Sequence, residues 1–394
     1  MGRRCSAATE REDARLTWMT AFDKAQTVAR IRAIEDPKRF LDAQRAFYRG
    51  DRHYVPPLTS GESWQVDRKK NPWFRHGEAA FFVAEKNGRV VGRVSASRDR
   101  LHDEFHGDRV GFFGHFEAVD VDTSNALLAH AEAWCRERTA DSLRGPVDLS
   151  TNYRCGLLVD GEEGTPVLMM PHNPKHYAQW VEGYGMAKAK DLLALRATKD
   201  TLDLSRIDRI VQRVSQKSRA VVRRMNLARF DAEMRIVWDL YHRIWERNWG
   251  FVPMSESEFF AHSKDLAKVA REELMHIAEI DGKPVGFAAA LPDVNRGIKA
   301  CDGRLLPFGW WKFLSAMRKV RMIRVITLGV VPEHRRDGLQ MLVMHAVISQ
   351  GIAAGFDACE ASWILEDNHD MLGPLQTLGH VPYRRYRIYS KALR

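Results

Sequence analysis

The sequence predicts a mixed α/β fold, an α+β mixed sheet built twice along one chain. Three observations carry this. Each half follows the order helix, hairpin, strand, helix, strand, short helix, strand. The two hairpins carry turn signals at matching places, Asn87-Gly88 and Asp281-Gly282. A prior of roughly 150 residues per domain leaves room for two or three domains in 394 residues. A repeat of this size means duplicated domains rather than a solenoid.

Taken in order, residues 1–28 read as a polar N-terminal arm, 29–200 as the first domain and 201–394 as the second. A helix is expected around 39–48, then irregular chain around Pro56-Pro57 and Asn71-Pro72. The first hairpin pairs 80–85 with 89–96. A strand follows at 111–121. A helix at 125–138 has Leu127, Leu128, Ala131 and Trp134 at helical spacing. Strand signals stand at 147–150 and 192–196. A basic helix over 204–226 joins the halves. The second copy then predicts a helix at 234–249, a hairpin of 274–280 with 283–291, and a strand at 323–331. A helix at 339–354, a strand at 358–364, a short helix at 368–378 and a final strand at 386–390 complete it.

Composition narrows the function classes. Lys and Arg number 61 against 51 Asp and Glu, a net charge of +10. That excess suits an anionic partner: nucleic acid, anionic lipid or a phosphate-rich cofactor. No nucleic-acid reader motif is present, so nucleic acid is not expected. The five cysteines are scattered and never spaced CxxC, which argues against a disulfide framework or zinc site and fits a reducing cytoplasm. No apolar run is long enough to span a membrane. The start lacks a signal-peptide core. It does match a short myristoylation pattern at Gly2, with Cys5 beside it, read here as coincidence.

The informative segment is Leu328-Gly329-Val330-Val331-Pro332-Glu333-His334-Arg335-Arg336-Asp337-Gly338-Leu339-Gln340. A β-rich run stops at Pro332, a basic loop follows, and an apolar helix starts at once. Unpaired N–H groups at a helix N-terminus attract a pyrophosphate, and the helix dipole adds to it. Gly338 allows close backbone approach, and Arg335 and Arg336 add charge.

This segment resembles the acyl-CoA-binding motif of the GNAT acetyltransferase superfamily, whose core is Arg/Gln-x-x-Gly-x-Gly/Ala after a strand that commonly ends Val-x-Pro. Arg335 and Gly338 fit, and Gln340 replaces the usual last small residue. Downstream, Trp363 to Asn368 resembles the strand end before the family's short helix, and Leu378-Gly379-His380 stands where the family often has Leu-Gly-Phe. The resemblance implies an acyl-CoA co-substrate, no metal, and direct attack of an amine on the thioester. Val330, Val331, Arg335, Arg336, Asp337, Gly338, Leu339 and Gln340 would bind the cofactor, with Val330 or Val331 giving an N–H to the thioester carbonyl. Glu366, then Glu360 and His334, are candidate bases. Asn368 either orients substrate or caps the short helix. The family's tyrosine acid is replaced by Leu375, with Tyr383 or Tyr386 as substitutes. Cys359 reads as core. The first copy lacks the cradle: its strand ends at Asp120-Val121-Asp122, whose carboxylates repel a pyrophosphate. It is expected to be a degenerate copy.

One stretch exceeds the generic pattern. Residues 305–321 are aromatic and basic and include Trp310, Trp311 and Phe313. Such a helix suits a lipid interface, lines an acyl tunnel, or simply packs on the core. With the tandem layout and the Tyr383–Tyr389 ending, it resembles a bacterial group that includes the ceramide synthases. That resemblance implies a long-chain acyl-CoA donor and a lipid amine acceptor. The aromatic and basic stretch, with the basic helix at 206–224, adds an expected peripheral contact with the anionic inner face of the membrane, in the cytoplasm that the cysteines suggest. The alternatives are acetyl transfer to a small amine or peptide, and a non-catalytic acyl-CoA binder.

Overall fold

A computed structural model describes residues 29–58 and 63–393. The expected arm at 1–28, with Gly2 and Cys5, lies outside the described residues. The strands, in chain order, are β1 (Arg30–Ala33), β2 (Gly77–Lys86), β3 (Arg89–Asp99), β4 (Val110–Ala118), β5 (Ser142–Gly145), β6 (Leu157–Gly161) and β7 (Ala187–Thr198) in the first half. The second half adds β8 (Ala220–Arg224), β9 (Met275–Ile280), β10 (Lys283–Pro292), β11 (Met322–Val330), β12 (Ala358–Leu365) and β13 (Val381–Ala392). All join one mixed sheet in the order β1-β2-β3-β4-β5-β13-β7-β12-β11-β10-β9-β8, with β6 on β13.

That order contains an exchange. β7 ends the first half but pairs with β12 of the second. β13 ends the chain but pairs with β5 of the first. The two exchanged strands then pair with each other antiparallel, from Val381↔Arg196 to Ser390↔Ala187. Asp191 on β7 is fully buried, and both its oxygens accept from Arg387 on β13, at 2.7 and 3.1 Å. Burial alone would raise this carboxyl, but Arg387 and Lys188 outweigh it and hold it below the usual carboxylate range.

Helices cover both faces. They include α1 (Val121–Glu137), α2 (Leu204–Lys217), α3 (Phe230–Trp245), α4 (Glu256–Ala267), α5 (Gly309–Met317), α6 (Leu339–Ala353) and α7 (His369–Thr377). Leu339, Leu342, Val343 and Val347 of α6 are buried in the second half's core. Each such side chain contributes roughly 1.5–3 kcal/mol.

Several boundaries differ from expectation, for physical reasons. The strand expected to reach Val121 stops at Ala118, because Asp120 turns outward and caps α1 through its bond from Thr123 N–H. The strand expected at 147–150 is only a bridge from Val147 to Cys155, and the ladder lies upstream at β5. The basic helix ends at Lys217, and β8 then adds to β9 as an edge strand. Helix α4 was not anticipated. Its N-cap is Ser255, whose Oγ accepts from Glu258 N–H at 3.3 Å, while the Glu258 carboxylate turns to His76 instead of back to the cap.

The halves are tied by a buried histidine. His76 Nδ1 lies 2.9 Å from Asp99, and its Nε2 lies 3.1 Å from Glu258 on α4. Desolvation opposes the imidazolium, but the two carboxylates outweigh it and push His76 up to about 9. The folded value is above the unfolded one. The contribution is therefore complete below about pH 6.5 and disappears as pH rises through about 9, a loss on the order of 3 kcal/mol. Thermal melts from pH 6 to 10 should show this decline in the native chain, and His76→Phe should lower the melting temperature at pH 6 and flatten the profile.

Candidate active site

β11 and β12 run parallel and pair only from Met322↔Ala358 to Val325↔Ala361. Each then carries one extra residue. The β10 register steps from Ala290↔Val325 to Ala289↔Thr327, which makes Ile326 a bulge. The β7 register steps from Ala361↔Leu195 to Ile364↔Leu193, which places another in 362–363. Bulges bend strands and recur beside active sites. Here they splay the pair into a V.

The ladder fixes which groups face the V. Val331 N–H donates to the Val285 carbonyl at 2.9 Å. The adjacent pair Gly286↔Val330 is therefore a non-hydrogen-bonded one, as is Ala288↔Leu328. The N–H groups of Leu328 and Val330 point away from β10 into the opening. Of the two expected carbonyl donors, Val330 is aimed at the V and Val331 is held in the ladder.

The loop that follows is a single 3-10 turn, Pro332–Asp337, closed by Gly338 at φ 77°. A Cβ at Gly338 would meet Val214 of α2 at 3.0 Å in a conformation that side chains disfavour. His334 Nδ1 and the Asp337 carboxylate lie 2.8 Å apart and staple the turn. Arg335 donates to the Ile244 carbonyl at 2.7 Å and reaches the Val330 carbonyl at 3.5 Å, so it ties the end of α3 to the loop. Arg336 is exposed. Leu339 is fully buried and anchors α6. Gln340 Oε1 is buried without a partner. No side chain caps the N-terminus of α6, which leaves its first-turn N–H groups for an anion. These groups fit the pyrophosphate of coenzyme A.

The base of the V is polar and buried. Glu360 accepts from Ser362 Oγ at 2.6 Å and from the Tyr383 hydroxyl. Arg324, its neighbour in the register, donates to Ser362 Oγ at 3.0 Å, to the Ser362 carbonyl at 3.1 Å and to the Leu168 carbonyl at 2.7 Å. Asp293 accepts from Leu168 N–H at 2.9 Å, and burial pushes it up to about 6. Leu168 belongs to the first half, so this network also joins the copies.

Above the network lies a cavity of ≈ 370 Å³, within the range of small-molecule sites. Its floor is β9 to β12 and its roof is α3 and α4. Met225, Phe230, Met234, Leu266 and Met275 line one end, while Thr151, Asn152, Asn248 and Asn368 supply polar groups.

The expected site residues divide accordingly. Glu360 and Tyr383 are brought together. Asn368 caps α7, accepting from Met371 N–H at 3.2 Å, and the residue also lines the cavity. Glu366 is bound to Lys188 at 2.6 Å and to Asp191 N–H at 3.1 Å, away from the cavity lining. Leu375 and Tyr386 are buried. Burial pushes the Cys359 thiol up to about 12. Trp310 and Trp311 are exposed, and Phe313 packs on Gly297 of a neighbouring turn; none of the three lines the cavity. Arg324, Ser362, Thr327 and the roof of α3 and α4 were missed. The helix of α3 was expected at 234–249, though not as a roof, and the Ser255-x-x-Glu258 pattern was the sequence signal for α4.

The first copy is built differently at the matching place. Glu117, Tyr48, Gln44 and Arg93 form a buried network in which Glu117 accepts from Tyr48 at 2.7 Å and Gln44 at 3.2 Å. A space of only ≈ 40 Å³ remains there.

Residues 234–379 match the Acetyltransferase (GNAT) family. Protein YghO of Escherichia coli (strain K12) is 36% identical over 366 residues, 91% of this chain and 93% of that one. A Caulobacter vibrioides (strain NA1000 / CB15N) protein named Bacterial ceramide synthase is 33% identical over 383 residues, 94% of this chain and 100% of that one. Among solved structures, a tandem GNAT protein from the clavulanic acid biosynthesis pathway superposes with a TM-score of 0.56 at 14% identity, over 93% of this chain and 99% of that chain. This last likeness shows the fold.

Replacing Gly338 tests the cradle. Gly338→Ala forces a side chain into a left-handed conformation against Val214, at a cost of about 1 kcal/mol. Where that cost falls on the cradle, calorimetric titration with coenzyme A should show roughly fivefold weaker binding, since about 1.4 kcal/mol is tenfold.

Proposed function

The chain belongs to the GNAT acyltransferase family, and from that premise we propose that it moves a long-chain acyl group from acyl-CoA to the amino group of a lipid amine such as a sphingoid base. The observation that carries this reading is the joining of the V to a large apolar cavity. The N–H groups of Leu328 and Val330 point into that V. An acetyl group by itself does not fill such a volume; an apolar chain does. The full-length similarity to a protein named Bacterial ceramide synthase supports the same reading.

In this mechanism the first turn of α6 and the exposed Arg336 hold the pyrophosphate. The pantetheine arm lies along the free edge of β11. Val330 N–H polarises the thioester carbonyl, a donor aimed where negative charge develops. The neutral amine attacks the carbonyl carbon, the C–N bond forms and the C–S bond breaks. One amine proton passes through Ser362 to Glu360, and the leaving thiolate takes a proton from solvent. Glu360 serves as base in preference to Glu366, whose carboxylate is already engaged by Lys188.

The membrane part of the reading rests on α5. No residue of that helix is fully buried. Leu306 and Phe308 are 81% and 76% exposed, with Trp310, Trp311 and Leu314 beside them. Lys312, Arg318 and Lys319 supply charge. No described helix is long and apolar enough to cross a membrane, so this surface would rest on an anionic leaflet.

Two measurements test these statements. Free-thiol release is followed with palmitoyl-CoA or acetyl-CoA, each with and without sphinganine. Release should require palmitoyl-CoA and sphinganine together, and Glu360→Gln should cut it roughly 100-fold or more. Release with acetyl-CoA as the sole usable donor would move the activity to small amines, and retained acyl-CoA binding without any turnover would leave a non-catalytic binder. In flotation with vesicles, the protein should rise with anionic phosphatidylglycerol and not with phosphatidylcholine, and the Trp310→Ala, Trp311→Ala double variant should stay at the bottom.

A further inference from the structure

We infer that the acyl chain, rather than the tail of the amine, occupies the cavity, and that it lies across the sheet on one transverse row of residues: Thr327, Ala289, Met275 and Met225. The inference rests on the long-chain reading above and adds to it which substrate fills the site, in what direction, and what limits its length.

The row follows from the registers. Ala289 pairs with Thr327 on β11 and with Met275 on β9. Met225 follows β8 directly, and its N–H donates to the Met275 carbonyl at 2.9 Å. All four residues line the cavity. They stand on three adjacent strands and on the residue that follows the fourth, so the floor runs at right angles to the strands from the bulge to the far side of the sheet. Phe287 and Leu291, two residues to either side of Ala289, form its walls. The small side chain of Ala289 leaves a groove between them.

The direction follows from the two faces. A Cβ on Gly351 of α6 would meet Ile323, and a Cβ on Gly329 would meet Ile244 and Trp245 of α3. The bulge at Ile326 reverses the alternation, so Ile323 and Val325 face α6 while Thr327 and Gly329 face α3. The cradle is therefore on one face of the sheet and the cavity on the other. A thioester whose pantetheine comes from the cradle and whose carbonyl rests on Val330 N–H must send its acyl carbon onward through the V. The cavity floor begins there, at Thr327. An amine attacks at an angle to that line. The polar groups of Thr151, Asn152, Asn248 and Asn368 suit its approach better than the methionine-lined end does.

The length follows from the strand spacing. Three spacings of about 4.8 Å separate Thr327 from Met225, roughly 14 Å. A fully extended chain advances about 3.5 Å per three covalent bonds, so this floor takes roughly 12 methylenes. Ala289 lies one spacing along the floor, at about four methylenes, and Met275 two spacings along, at about eight.

The experiment is a calorimetric series with acyl-CoA of two to eighteen carbons and no acceptor. For the native chain, affinity should rise by up to about fourfold per methylene and level off near 12–14 carbons. Ala289→Leu should level off near six carbons and Met275→Trp near ten, with acetyl-CoA affinity reporting that each variant is folded. A length-independent affinity in the native chain overturns the inference. So does equal weakening at every length in both variants. A second arm measures turnover of the native chain and both variants with amines of graded tail length. A shift in preferred amine length there, with the acyl series unchanged, places the amine's tail in the cavity and overturns the inference as well. If no acyl-CoA binds the native chain at any length, the reading beneath it fails instead.

Discussion

Two parallel strands that stop pairing leave backbone N–H and C=O groups without partners inside a protein, and such groups are expensive to bury. The second half of this chain is organised around that constraint. β11 and β12 part after Val325 and Ala361, yet each keeps its outer ladder, with β10 and with β7. The strands therefore cannot drift back together to repair the loss. Beneath the fork, Arg324 is held by Ser362 and Leu168, and Glu360 by Ser362 and Tyr383. These charge-assisted bonds pin the base of the V. Removing one member would leave a buried charge uncompensated, a change that costs about 3–5 kcal/mol in comparable cases. The open N–H groups are what a thioester carbonyl needs, so the structural defect and the chemical site are one feature.

The exchange of β7 and β13 explains why a half without a cradle is retained. β7 forms the outer wall of the V by pairing with β12. The second half cannot hold its own fork open without a strand from the first. Leu168 accepts from Arg324 and donates to Asp293, while Thr151 and Asn152 reach the cavity itself. In the first copy, the helix N-terminus that would match the cradle is capped by Asp120. A carboxylate already occupies the place an incoming anion would take. The first copy is thus support for the second and closed at its own matching position.

Most of the fold was legible because its signals are local. Turn residues located both hairpins, helical spacing located α1, and the apolar run after the basic loop located α6. The cradle was legible for the same reason, since Val330 to Gln340 are contiguous. The exchanged strands were not, because a strand's neighbour is set by tertiary pairing and its own sequence is silent on that. Glu366 seemed a better base than Glu360 from position alone. It is the pairing of β12 with β7 that puts Lys188 beside Glu366 and turns Glu360 toward Tyr383. The bulge at Ile326 decides which side chains face the cavity, and nothing in Thr327-Leu328-Gly329 announces it. The aromatic stretch at 305–321 was open to two lipid roles. The helix stands on the surface, and the tunnel-like space lies elsewhere, under α3 and α4.

That separation has an energetic logic. A void left in an apolar core costs about 24 cal/mol per Å³. At ≈ 370 Å³ the scale is roughly 9 kcal/mol as an upper bound for a cavity that opens to solvent, against a total stability of about 5–15 kcal/mol for a typical domain. The roof residues Phe230, Met234, Phe259 and Leu266 are large and apolar, and substitution of Ala289 by a bulkier residue would close much of the space. The sequence keeps an alanine there. An apolar ligand that fills such a space beside the fork gains about 0.8 kcal/mol for each buried methylene. On the proposed reading, binding energy gathered along the acyl chain helps hold the thioester against Val330.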